Sequence, residues 1–117
     1  MSPGAVALAR IQQADGRLKT RPVVILNTMP PFSDFLVCAV SSKLKHECPG
    51  FDEVIAVEDE DFKITGLKVA SLIRLGMLAT VPEADILGEL GKISTTRLQS
   101  LRSRLARKIE AEQDELT

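Results

Sequence analysis

The sequence predicts a mainly β protein: a small, strongly bent sheet or partly open barrel of about five to seven short strands, with one helix at its C-terminal end. Two observations carry that reading. Short runs of β-branched and aliphatic residues recur up to Pro82, each bounded by Gly, Pro, Asp or Ser. After Ser94 the period changes, and Leu98, Leu101, Leu105 and Ile109 fall at spacings of three and four, as on one face of a helix. A chain of 117 residues can bury one core but not two, so a single domain over 1–117 is expected.

The elements follow in order. "GAVALARI" reads as the first strand, and Asp15-Gly16 supplies a turn after it. "RPVVILN" is the second strand, its run Val23-Val24-Ile25-Leu26 suggesting burial on both faces. Pro30 and Pro31 in "TMPPF" break it, since neither has an N–H for a ladder. "DFLVCAVSS" is the third strand, ending in two hydroxyls, and "KLKHECPG" is a polar connection. "FDEVIAV" reads as a fourth strand and "EDEDFKITG" as loop. "LKVASLIRL" and "MLATV" read as two more strands around Gly76, ended by Pro82. Ser94 is a candidate N-cap for a helix over 94–110, and 111–117 form an acidic tail.

Composition excludes several classes. Hydrophobic residues make up 44% and charged residues 26%, the balance of a folded chain. No stretch approaches a membrane span and no signal-peptide core is present, so a cytoplasmic protein without membrane contact is expected. With four Phe and neither Trp nor Tyr, any nucleic-acid site must rely on cations, hydroxyls and backbone in place of stacking. Cys38 reads as a buried strand residue and Cys48 as a free thiol, with no disulfide. His46 and Cys48 alone do not make a zinc site, and no cofactor or metal motif occurs, so neither a metal nor a cofactor is expected.

The net charge of −1 hides segregation. Arg10, Arg17, Lys19, Arg21, Lys43 and Lys45 outnumber Asp15 and Asp34 in the first part of the chain. Acid collects at Asp52, Glu53 and Glu58 to Asp61. A polyanion would find a basic surface despite the near-neutral total.

Three positions stand out chemically. Arg21 enters the second strand, held toward extended backbone by Pro22 behind it. Ser41 and Ser42 leave the third strand, and an antiparallel pairing would set them beside Arg21 at one rim. A guanidinium fork beside hydroxyls makes a phosphate cradle. The plain structural alternative is that Arg21 pairs with a surface carboxylate and the serines merely end a strand. Arg74, between Ile73 and Leu75 in "SLIRLGML", must line a cleft or meet an acid, because an unpaired buried charge costs several kcal/mol.

Taken together, "PGAVALA", "DGRLKTRP", "VCAVSS", "GLKVASLIRLGML" and "GKIS" before a terminal helix resemble, from Pro3 to about Ile109, the MazF/PemK family of type II toxin–antitoxin toxins. The resemblance implies an SH3-like barrel and a homodimer. It also implies metal-independent cleavage of single-stranded RNA, and a cognate antitoxin with a DNA-binding head whose disordered tail covers the RNA site. It places the family's catalytic arginine on Arg21, its strand-end hydroxyl on Ser41 with Ser42 in support, and the arginine of the PemK-like late strand on Arg74. Lys19, Lys43 and Lys45 would track the RNA backbone. The sequence departs from the pattern at Gly76, where some members carry an acid, and at Ala5. The connecting-loop histidine of some members has no counterpart in residues 12–20, and His46 lies elsewhere.

The leading expectation is therefore a toxin cutting RNA through a 2′,3′-cyclic phosphate. The alternative is a non-catalytic toxin or dimeric binding module of the same fold that inhibits a protein such as gyrase. Arg97, Arg102, Arg104, Arg107 and Lys108 scatter around the helix's polar side and are expected to be structural, with the leucine stripe burying about 1.5–3 kcal/mol per residue.

Overall fold

The computed structural model describes residues 1–111; most of the expected acidic tail, 112–117, lies outside the described residues. Six strands form one antiparallel sheet: β1 (Ala5–Gln12), β2 (Leu18–Met29), β3 (Asp34–Ser41), β4 (Glu53–Ile55), β5 (Ser71–Val81) and β6 (Ile86–Lys92), in the order β4-β5-β3-β2-β1-β6. A short helix α1 (Phe62–Thr65) and the long helix α2 (Thr95–Glu110) complete it, with single 3-10 turns at Leu44–His46 and Glu83–Asp85. The mainly β class and the C-terminal helix match the expectation.

Both faces of the sheet are buried, which is why the second strand reads as unbroken apolar residues. Val24 and Leu26 point to one core with Val6, Cys38, Val40, Ile73 and Leu75, under Leu101 of α2. Val23 and Ile25 point to the other, with Ala5, Ala7, Ala9, Phe35 and Val37. Register shifts interrupt the β1–β6, β2–β3 and β3–β5 ladders, and such bulges bend a sheet and increase its twist. Burial also pushes the Cys38 thiol up to about 12, so it is a packing residue and not a nucleophile. Both cysteines are free.

Four expectations need correction. The two strands around Gly76 are one strand: Cys38 pairs with Leu78 and Ala39 with Arg74, so Leu75, Gly76 and Met77 are accommodated in a bulge of β5. The fourth strand is only Glu53–Ile55. "EDEDFKITG" is not all loop but contains α1, closed by Gly66 at φ 75°. β6 is a strand the sequence does not announce, because "ILGELGK" lacks a strand's apolar alternation. Its glycine has another purpose: any side chain at Gly91 would run into the backbone of Ile64 and Thr65, so glycine lets α1 lie directly on β6. Since α1 follows β4, this contact draws the two edges of the curled sheet toward each other.

The helix begins as expected, Ser94 Oγ accepting from Arg97 N at 3.1 Å. Leu101 is buried, with Leu98 and Leu105 packed against the same core, but Ile109 is 73% exposed because the last turn projects past that core. The arginines tie the helix to the sheet. Arg102 Nε donates to Leu26 O at 2.8 Å, and Arg104 Nη1 to Asp52 O at 3.0 Å. Arg97, 15% exposed, donates to both oxygens of Asp61 (2.9 and 3.1 Å), to Glu53 (3.0 Å) and to Asp59 (3.3 Å). Much of the acidic stretch is thus not a solvated face but the receptor for this helix. Hydrogen bonding from Arg97 holds the Asp61 carboxyl down at about 2, well below its ordinary 3.8.

Candidate functional site

The middle of the sheet assembles the site. Val23 of β2 faces Ala39 of β3 as the last pair of that ladder, and Arg21 and Ser41 lie two residues further along their strands. On the other side of β3, Ala39 faces Arg74 of β5. Three neighbouring strands therefore deliver Arg21, Ser41 and Arg74 to one open cleft of about 480 Å³. Lys19, Ser42 and Lys43 line it too. Strand pairing alone explains why residues fifty-odd positions apart meet here.

Lys45 does not line the cleft. The segment after β3 makes a 3-10 turn, with His46 N donating to Lys43 O at 3.1 Å. Lys43, just before the turn, and His46, at its end, line the cleft, while Lys45 between them does not. His46, which the sequence presents as a loop histidine, is thereby a wall of the cleft, as is Lys68 from the α1–β5 connection.

Arg21 is held by a residue the sequence did not single out. Its Nη2 donates to Gln13 Oε1 at 3.0 Å, while Gln13 Nε2 donates to Ile11 O at 3.2 Å. The amide fixes one prong of the fork from behind. Arg21 Nε is buried and meets no acceptor among the described residues. An orphaned buried donor of this kind costs about 1–3 kcal/mol. Neither Arg21 nor Arg74 makes an ion pair among the described residues, unlike Arg10 with Asp85 (3.6 Å) or Arg97 with its three carboxylates. Among the described residues, no carboxylate partner for the surface-carboxylate alternative is found beside Arg21.

Ser41 Oγ accepts from Lys43 N at 3.0 Å, which bends the chain into the 3-10 turn and leaves the hydroxyl proton free to donate. Arg21 also borders a second cleft of about 320 Å³, with Leu18, Met77 and Leu78 on its walls. A single guanidinium thus stands between two spaces. No carboxylate among the described residues lines the first cleft, and no group of three His, Cys, Asp or Glu suited to a metal occurs among them. No described helix is long and apolar enough to cross a membrane. Chemically, the cleft offers donors and positive charge to an anion with several oxygens.

Residues 2–109 match the family model described as PemK-like, MazF-like toxin of type II toxin–antitoxin system. A search of curated proteins returned no match. Among solved structures, the fold is similar to the Mycobacterium tuberculosis toxin MazF-mt6, with TM-score 0.67 and 15% identity over 93% of this chain and 99% of that one. It is also similar to a chain of the MazE-MazF structure from Deinococcus radiodurans, with TM-score 0.64 and 12% identity over 96% and 97% of the two chains.

Proposed function

The chain belongs to the PemK-like, MazF-like family of type II toxins, and on that premise we propose that it is an endoribonuclease that cuts single-stranded RNA without a metal ion. The 2′-OH attacks the adjacent phosphate, leaving a 2′,3′-cyclic phosphate and a 5′-OH. Negative charge builds on the non-bridging oxygens, and preorganised donors aimed at that charge usually lower the barrier more than any other device. Arg21 and Ser41 supply those donors, Ser42 supports them, and Arg74 clamps the phosphate from β5. Lys19 and Lys43 hold the flanking backbone, so affinity falls with salt. The required 2′-OH distinguishes RNA from DNA.

The observation that carries this reading is the convergence of Arg21, Ser41 and Arg74 on one cleft, lined also by Lys19 and Lys43 and, among the described residues, by no carboxylate. We assign the chain, by the same reading, a homodimeric state, a cytoplasmic site of action and an antitoxin whose acidic or amphipathic tail covers the cationic cleft.

Purified protein in EDTA is expected to cut an unstructured RNA and leave the matching DNA intact, with cyclic phosphate ends visible by mass spectrometry. Growth inhibition without RNA cleavage would instead favour a toxin that acts by binding a protein target.

A further inference from the structure

We propose that His46 is the general base of this cleft, taking the proton of the attacking 2′-OH; the inference rests on the ribonuclease reading above. The cleft is rich in donors and short of acceptors. Lys19 and Arg21 face it from β2, Lys43 from the segment after β3, Lys68 from the α1–β5 connection and Arg74 from β5. Guanidinium and ammonium groups have no lone pair to offer. Ser41 Oγ is already an acceptor for Lys43 N, and a hydroxyl is a poor base in any case. No carboxylate among the described residues reaches the cleft, and Gly76 stands on β5 two residues beyond Arg74 without a side chain.

The missing part is a group that accepts a proton near neutral pH. Imidazole is the side chain that does so at its ordinary pKa. His46 lies in the same cleft as Arg21, Ser41 and Arg74, at the end of the 3-10 turn that follows β3. Its neighbours on the turn, Lys45 and Glu47, do not line the cleft. His46 is solvent-exposed, so its ring is open to a substrate and to water.

In the step, a ring nitrogen of neutral His46 takes the proton of the 2′-OH as the 2′ oxygen's electron pair forms a bond to phosphorus. The P–O5′ bond breaks, and its electron pair leaves on the 5′ oxygen, which takes a proton from water. The hydroxide so produced removes the proton from the imidazolium, and the side chain is restored.

The test compares the wild-type chain with His46→Ala and His46→Gln in EDTA. Initial rates are read on an unstructured random-sequence RNA oligonucleotide from about pH 5 to 8.5, and binding on its 2′-deoxy counterpart. Wild-type rate should rise about tenfold per pH unit and then level off, as for a base that must be neutral. Both variants should be slower by about 10²- to 10⁴-fold on the plateau and lose the acid limb. Binding of the deoxy strand should stay within about threefold, and added imidazole should raise the His46→Ala rate. Wild-type-like cleavage by His46→Ala with the limb intact would overturn the proposal and leave the ribonuclease reading standing. Loss of binding in proportion to rate would also overturn it, making His46 a phosphate anchor. No cleavage by the wild type would remove the ribonuclease reading and this proposal together.

Discussion

Replacing Asp61 by Asn removes one charge from the clamp on Arg97 while keeping its shape, and the cost should depend on pH. Asp61 is 9% exposed and accepts from Ser94 N (3.1 Å) as well as from Arg97 Nε and Nη2. Its carboxyl titrates at about 2 in the fold against an ordinary 3.8. A folded-state pKa below the unfolded one adds stability that is complete above the unfolded value and vanishes as pH falls through the folded one. A difference of nearly two pKa units corresponds to about 2 kcal/mol at pH 7, roughly half of which persists at pH 3. Urea unfolding at pH 7, 4.5, 3 and 2 reads the difference between Asp61→Asn and the wild type. It should be about 2 kcal/mol at the first two points, shrink at pH 3 and nearly close at pH 2. A difference that is the same at every pH would refute the ion-pair argument, since it would mean that packing alone holds the helix here.

Two further outcomes follow from other contacts. The double variant Arg102→Gln, Arg104→Gln should lower the melting temperature, because it deletes charge-assisted bonds to backbone carbonyls worth about 1.5–3 kcal/mol each, yet leave RNA cleavage within about twofold; a thermal melt and a cleavage assay on one preparation check both. Gln13→Ala frees the Arg21 fork: the lost hydrogen bond should cost about 0.5–1.5 kcal/mol of stability, read as a lower melting temperature, and cleavage should fall about two- to tenfold.

The parts of this structure legible in the sequence are those fixed by local pattern. Val23 to Leu26 declared a strand buried on both faces, and Ser94 with the leucine spacing declared the helix. The antiparallel pairing of β2 and β3 could be expected from the sequence, and Arg21 and Ser41 line one cleft. What escaped depends on distant partners. β6 carries Gly91 where α1 presses on its backbone, and nothing within "ILGELGK" announces that neighbour. Arg97 and the acids at Glu53, Asp59 and Asp61 are about forty positions apart, so nothing local to either run announces the other. His46 reaches the cleft through a three-residue 3-10 turn, whose signal in the sequence is only a polar "LKH". Gln13 meets Arg21 because the turn after β1 folds one strand back on the other, which the spacing of eight residues does not reveal.

The claim at the centre is that Arg21 stabilises the charge that forms on a scissile phosphate. It is tested most directly by the rate at which folded Arg21→Ala and Arg21→Lys cut unstructured RNA in EDTA, relative to the wild type. Losing a preorganised donor of this kind costs about 10²- to 10³-fold, and lysine cannot restore the two-pronged geometry. Both variants should therefore cut RNA at least about 10²-fold more slowly while circular dichroism shows that the fold is retained. A folded Arg21→Ala protein that cuts RNA at the wild-type rate would contradict the assignment of the cleft.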